Sequence, residues 1–240
     1  MELTEGALLG GRIRYRQPRE GYRTGIEPIL LAASVIARPG ERVLEGGTGA
    51  GAALLCLAAR LPAVKGLGVE RDPALASLAE ANLRENGATG MSISAVDLLS
   101  LPDSRNFDHA IANPPWHDAR GTASSDPMRD AAKRSTPTLM DAWAAALGRS
   151  LRHGGSLTLI IPAGATAAAL AALSRAHCGS PVILPLWPRA REEARLVLVR
   201  VVKNGRGVSR ILPGLILHDG DGFSDAARKI LWDGAALGWD

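Results

Sequence analysis

This sequence of 240 residues predicts an α/β fold: a seven-stranded, mostly parallel sheet with an antiparallel last strand and helices on both faces. Three observations predict it. Short apolar runs alternate with Ala/Leu-rich stretches of helical spacing. A glycine cluster follows the first apolar run, as at a strand-to-helix turn that meets a ligand. The last two strand-like runs are joined only by Trp187–Ala194, too short for a crossover helix, so that pair must be antiparallel.

Taken in order, Arg42–Leu44 is the first core strand and Ala52–Arg60 the helix after the glycines. Gly66–Val69 is the second strand. Asp72 and Pro73 then supply an N-cap and a first helical residue, and Asn86-Gly87 ends that helix. Met91–Val96 and Phe107–Ala112 are the third and fourth strands. Thr138–Leu151 is a helix closed by His153-Gly154-Gly155, followed by a strand over Ser156–Ile161 and a helix over Ala163–His177. Val182–Leu186 and Arg195–Val202 complete the seven. Residues 1–37 precede this rhythm and 205–240 follow it, with a short strand segment over Ser209–His218 and a helix over Ser224–Leu231. The expected organisation is one domain over 1–240, with a cap segment (1–37), a core (38–204) and a C-terminal extension (205–240). His117–Ser135 reads as a long polar loop, a length usually associated with function.

Composition narrows the class. Apolar residues make up 46% of the chain, which suits a packed core rather than disorder. No apolar run reaches the ~20 residues needed to cross a bilayer, and the first residues lack the pattern of a signal peptide. A cytoplasmic protein is expected. Cys56 and Cys178 stand far apart without metal-like neighbours, so neither a disulfide nor a metal site is predicted. The net charge of +4 and a pI near 9.5 suit an anionic partner such as nucleic acid, although the arginine content also fits a general compositional bias.

Two groups of residues carry chemistry. The first is the run Glu45-Gly46-Gly47-Thr48-Gly49-Ala50-Gly51, where glycines permit a tight turn and close approach of a ligand. Gly47, Gly49 and Ala52 also satisfy a dinucleotide fingerprint. Three carboxylates sharpen the choice: Glu45, Glu70 and Asp97 follow or end the first three strands. In an open parallel sheet those ends line the ligand crevice. A carboxylate beside the glycines can face an ammonium, one at the second strand can accept from a ribose diol, and one at the third can accept from an adenine amine. That set suits a nucleoside with an amino-acid tail better than a dinucleotide, whose pyrophosphate would meet Glu45.

The second is Asn113-Pro114-Pro115-Trp116, directly after the fourth strand. An exocyclic amine or amide nitrogen is a poor nucleophile because its lone pair is delocalised. The Asn113 side-chain oxygen and the Pro114 carbonyl can each accept one of its N–H groups, which localises the lone pair. The prolines fix the backbone that presents both acceptors. Trp116 offers a face for stacking a base, worth ~1–3 kcal/mol.

These residues resemble the class I, S-adenosylmethionine-dependent methyltransferases with an Asn/Asp-Pro-Pro-aromatic motif, which have a Rossmann-like fold. The resemblance extends over about residues 20–204. It implies that Glu45, Gly47, Gly49 and Gly51 hold the methionine part of S-adenosylmethionine, Glu70 its ribose and Asp97 its adenine, with Asn113 beside the cofactor and catalytic together with Pro114, Pro115 and Trp116. Upstream, Arg16-Gln17-Pro18, Gly21 to Gly25 and Glu27 to Ala33 are similar to the small-methyltransferase group that includes the bacterial valine-tRNA adenine-N6 methyltransferases. There the segment before the core carries contacts to the cofactor carboxylate, which would fall on Arg23, Thr24 and Gly25. Glu45 stands where that family more often has Asp, and Trp116 where it has Tyr or Phe.

The implied function is methyl transfer to an exocyclic base amine, with adenine N6 in tRNA as the leading target. An rRNA guanine, a protein glutamine amide and a small molecule remain as alternative acceptors. An NAD-linked oxidoreductase and a non-catalytic RNA-binding module are the readings outside that class. Arg12, Arg14 and Arg16 alternate along an expected strand, and Arg129, Lys133 and Arg134 lie in the long loop. Both sets are candidates for phosphate contact, and equally for ordinary solvated surface. His117 and His109 are read as incidental and structural.

Overall fold

The computed structural model describes residues 1–21, 23–115 and 137–239. An N-terminal hairpin pairs β1 (Leu3–Leu8) antiparallel with β2 (Ile13–Pro18) and leads into α1 (Glu27–Ala33). The core then runs β3 (Arg42–Gly46), α2 (Ala52–Arg60), β4 (Lys65–Val69), α3 (Pro73–Glu85), β5 (Met91–Ser94) and β6 (Phe107–Ala112). From residue 137 onward come α4 (Pro137–Ser150), β7 (Leu151–Pro162), α5 (Thr166–Arg175), β8 (Cys178–Trp187) and β9 (Leu196–Lys203). Short strands β10 (Arg210–Ile211), β11 (Leu215–Ile216), β12 (His218–Asp219) and β13 (Gly222–Phe223) precede α6 (Asp225–Leu231).

The seven expected strands form one sheet in the order β5-β4-β3-β6-β7-β9-β8, all parallel except β9, which is antiparallel to both its neighbours. The two-residue strands β10 and β11 extend this sheet beside β8, so that it counts nine. Neighbouring side chains on each strand point to opposite faces. Val43 and Ile160 therefore join a core under α1 and α2, whereas Leu44, Leu159 and Ile161 join a second core under α4 and α5. Near-continuous apolar strands are the consequence of a sheet buried on both sides.

The expected strand at Ser156 begins earlier, at Leu151, directly after α4. The pairing of β6 with β7 shifts register between Phe107 and His109, and Gly154 there has φ +75°. A bulge, rather than a helix-to-strand loop, accounts for the His153-Gly154-Gly155 run. His109 is buried and bonded to Ser156 at 2.8 Å and Glu41 at 3.0 Å, a structural histidine.

Both flanking segments close over the α1 side of the sheet. Trp239 Nε1 donates to the Ser34 carbonyl at 2.8 Å, the Leu237 N–H donates to the Ala33 carbonyl at 2.9 Å, and Leu9, Ile230, Leu237 and Trp239 share one apolar cluster with α1 and α2. Among the described residues no helix is long and apolar enough to cross a membrane, and no group of metal-ligating side chains is present. Cys56 and Cys178 are buried free thiols.

Candidate active site

Because β3, β4, β5 and β6 are parallel, their carboxyl ends lie along one edge of the sheet. The structure brings the candidate residues together there. Glu45 is the penultimate residue of β3, Glu70 follows β4 directly, and Asp97 lies three residues beyond β5. On the other side of β3, Gly46 pairs with Ala112 of β6, so Asn113 leaves the sheet beside the glycine turn. Asn113 and Pro115 are half-buried and Pro114 is buried. Trp116, Arg129, Lys133 and Arg134 lie outside the described residues, as do Tyr22, His117 and Arg120.

The glycine turn is held by its own backbone and by two of the carboxylates. The Gly47 and Thr48 N–H groups both donate to the Val69 carbonyl, at 2.8 and 3.1 Å. Glu70 Oε2 accepts from the Gly49 N–H at 2.9 Å, and its Oε1 accepts from the Asp72 N–H at 3.0 Å. A carboxylate has about four acceptor positions, so Glu70 keeps two for a ligand. Glu45 differs. Its side chain is enclosed, Oε2 accepts from Thr48 Oγ1 at 2.6 Å, and the Leu54 N–H of α2 also donates to it. Burial pushes its carboxyl up to about 8, against the pull of those hydrogen bonds, with neighbouring Glu70 adding to the rise. Glu45 thus braces the turn from inside.

Two glycines in the turn serve opposite surfaces. Gly49 has φ +54°, and a Cβ there would meet nothing within 4 Å: it faces open space at the strand ends. Gly47 has φ +67°, but a Cβ there would stand 2.7 Å from the Trp143 ring. The α4 indole is therefore packed against the turn, a contact the sequence pattern did not reveal because Trp143 sits in an ordinary Ala/Leu-rich helix.

Asp97 is exposed and caps a short 3-10 turn, with Oδ1 accepting from the Leu99 N–H at 2.8 Å. Val96 and Leu99 beside it are exposed apolar side chains, 38% and 42% accessible. An apolar surface next to a carboxylate with a free oxygen can take a planar base bearing an amine.

The segment before α1 is fastened to the same end. Thr24 donates its N–H to Gln17 Oε1 at 2.9 Å, and its hydroxyl bonds the Tyr15 hydroxyl at 2.8 Å. Arg23 is exposed. Arg12, expected on the strand, lies just before β2 and donates to the Leu9 and Trp232 carbonyls, Arg16 pairs with Glu85, and Arg14 has an exposed side chain.

Comparison with known proteins agrees with this geometry. A family model for the methyltransferase small domain matches residues 28–174. A tRNA1(Val) (adenine(37)-N6)-methyltransferase of Aeromonas hydrophila is 31% identical over 219 residues, 86% of this chain and 87% of that protein. One of the same name from Actinobacillus succinogenes is 30% identical over 156 residues, 63% of this chain and 66% of that protein. A crystal structure from Agrobacterium tumefaciens, described as a predicted O-methyltransferase, is similar with a TM-score of 0.73 and 25% identity, over 88% of this chain and 98% of that one. These matches set aside the nicotinamide reading of the glycine turn. With more than half of its length inside the family model, the chain belongs to the small-methyltransferase family and is a class I, S-adenosylmethionine-dependent methyltransferase.

Proposed function

We propose that this enzyme methylates the exocyclic N6 amine of an adenine in RNA, with tRNA as the substrate class, in the cytoplasm. The observation that carries the reading is the position of Asn113 and Pro114: they follow the central strand β6 at the point where Ala112 pairs with Gly46, beside the glycine turn. Two fixed acceptors next to a cofactor crevice suit a nitrogen with two hydrogens. A hydroxyl has one hydrogen and gains nothing from the second acceptor. The names of the Aeromonas and Actinobacillus relatives, which specify adenine N6 of a tRNA, support the same choice.

The residues present fit S-adenosylmethionine. Glu70 retains acceptor capacity for a ribose diol, Asp97 has an exposed carboxylate oxygen for an adenine amine, and Gly49 leaves open space for the methionine end. When bound, the cofactor supplies the methyl group from its sulfonium. The chain itself contributes orientation, which can be worth ~7–11 kcal/mol in favourable cases. The Asn113 oxygen and Pro114 carbonyl accept hydrogen bonds from the amine and hold its lone pair in line, the proton lost on methylation leaves to water, Pro115 stiffens that geometry, and Trp116 stacks the base. Residues 1–37, 38–204 and 205–240 act as one domain, with Arg14, Arg129, Lys133 and Arg134 offering charge to phosphate.

The test is incubation of the purified enzyme with labelled cofactor and total RNA from a strain lacking the gene, followed by nucleoside analysis. Label in N6-methyladenosine from the tRNA fraction is expected. Label in a guanosine, or only in protein, would overturn the adenine assignment while leaving the methyltransferase class intact.

A further inference from the structure

The Gly46-Gly47 pair at the end of β3 lacks side chains where α4 comes closest. A Cβ on Gly46 would stand 2.9 Å from Leu98 Cδ2 and 3.2 Å from Leu147 Cδ2, and one on Gly47 would stand 2.7 Å from Trp143 Cη2. Trp143 and Leu147 are about one helical turn apart, so they form a single ridge of α4 seated on these two glycines. Leu98 and Leu147 are buried, whereas Trp143 is half-buried at the rim of the same core. α4 packs over both β3 and β6. Gly46 pairs with Ala112 at the ends of those strands, so Gly47 and Asn113 leave the sheet side by side, and the indole stands against the first of them. Hydrogen bonds fasten the turn on its β4 side, from Gly47 and Thr48 to the Val69 carbonyl and from Gly49 to Glu70. The indole meets the turn from the α4 side.

We propose that Trp143 is a positioning residue for methyl transfer. Its far ring holds Gly47 in place, and through Gly47 it fixes the turn that carries the methionine end of S-adenosylmethionine relative to Asn113. It acts through the turn, not on the reacting atoms. The atoms nearest a Gly47 Cβ are Cη2, Cζ3 and Cζ2, all on the six-membered ring of the indole. A phenylalanine ring ends short of them, so Trp143→Phe keeps an apolar filler in α4 and withdraws the contact. A misplacement of a bound group by about 1 Å can cost ~100-fold in rate. The rate expectation rests on Asn113 being the amine acceptor; the binding expectation does not.

Binding is measured by calorimetry for S-adenosylhomocysteine, which carries the amino-acid tail, and 5′-methylthioadenosine, which lacks it. Trp143→Phe should weaken the first ~10-fold and leave the second within ~2-fold, because only the tail lies on the turn. Single-turnover transfer to RNA at saturating cofactor should fall ~10- to 100-fold, with RNA affinity unchanged. Trp143→Ala should show the same pattern more strongly. Ile230→Ala, a truncation in the core on the other face of the sheet, should lower the melting temperature and leave both probes at wild-type affinity, which separates lost stability from lost positioning. Equal weakening of both probes by Trp143→Phe would make the indole ordinary core packing and overturn the proposal, as would wild-type affinity for S-adenosylhomocysteine. A selective loss of that affinity with an unchanged single-turnover rate would leave Trp143 a support for binding alone and overturn its positioning role. A wild-type protein that binds S-adenosylhomocysteine but labels no RNA would sink the RNA assignment instead, and the two-probe comparison would still decide on Trp143.

Discussion

Asn82 takes both backbone hydrogen-bonding groups of Arg16: its Oδ1 accepts from the Arg16 N–H at 3.1 Å and its Nδ2 donates to the Arg16 carbonyl at 2.9 Å. The second Nδ2 hydrogen goes to the Ala50 carbonyl in the glycine turn, also at 2.9 Å. One turn along α3, Asn86 does the same for Arg14. The match follows from geometry, since four helical residues advance about 6 Å and two strand residues about 6.7 Å. Two asparagines thus stand in for a missing strand along the edge of β2, and one of them joins that strand to the glycine turn.

Asn82→Ala should destabilise the protein by about 2–3 kcal/mol, because it leaves the buried Ala50 carbonyl and the Arg16 groups without partners. Urea unfolding with an unchanged slope would measure it. A loss below about 0.5 kcal/mol would show that water replaces the carboxamide and that the clasp is incidental.

The glycines at 47 and 49 should fail in different ways. Gly49→Val fills the open space at the strand ends and, although a β-branched residue at φ +54° also costs stability, should abolish S-adenosylhomocysteine binding by the protein that folds. Gly47→Ala drives a methyl into Trp143 and should lower the melting temperature. Asp97→Ala should weaken the cofactor more modestly, since Asp97 is exposed and one of its oxygens already serves Leu99. Near-wild-type affinity in folded Gly49→Val would remove the pocket from this edge of the sheet.

Glu45 should make stability depend on pH. Its folded pKa, about 8, lies above the ordinary 4.5, so between these values the folded state binds the proton more tightly than the unfolded state. By linkage its contribution falls as pH rises through that window. Glu45→Gln mimics the protonated form. The stability of this variant relative to wild type should therefore rise between pH 5 and pH 8, and the urea midpoints of the pair at both pH values test it. A constant difference would mean that Glu45 is ionised throughout.

The strand–helix alternation and the strand-end carboxylates were legible because each rests on local pattern: apolar period, N-cap Asp72, and acids placed just after strands. The Asn113 motif was legible as a pattern for the same reason, and the structure places Asn113 directly after β6. What escaped was long-range. Asn86 was visible only as a helix end, although it also holds Arg14, 72 positions away in sequence. Glu45 and Glu70 are both acids at adjacent strand ends, both buried, and only packing shows that Glu45 meets the turn through the Thr48 hydroxyl and Glu70 through the Gly49 and Asp72 N–H groups. Arg12, Arg14 and Arg16 likewise read as one charged face, whereas Arg12 lies just before β2 and bonds two backbone carbonyls, and Arg16 pairs with Glu85.

That difference sets the expectation for RNA. Arg12 and Arg16 are engaged with Trp232 and Glu85, while the Arg14 side chain is exposed. Arg14→Gln should therefore reduce the slope of log affinity against log salt by ~0.7, the value for one lost phosphate contact on a single strand. Arg12→Gln and Arg16→Gln should instead lower the unfolding midpoint. An unchanged slope for Arg14→Gln would leave that arginine to solvation alone.

Asn113 offers the sharpest separation of chemistry from binding. Its side-chain oxygen should matter most as the amine pyramidalises, so its removal should lower turnover far more than it lowers affinity for either substrate. Asn113→Ala should keep S-adenosylhomocysteine binding and much of the RNA binding, yet lose at least ~100-fold in methyl transfer, on the scale of a lost preorganised hydrogen-bonding group. Trp116→Ala should raise the RNA concentration needed for half-maximal rate, and Trp116→Phe should restore it, because either ring presents a face for stacking. Single-turnover rates with saturating cofactor, read beside equilibrium binding of both substrates, distinguish these effects. If Asn113→Ala methylates at nearly the wild-type single-turnover rate and yields the same nucleoside, the paired-acceptor mechanism is wrong. The four residues after β6 would then be a proline turn, and the group that activates the amine would have to come from another part of the strand-end crevice.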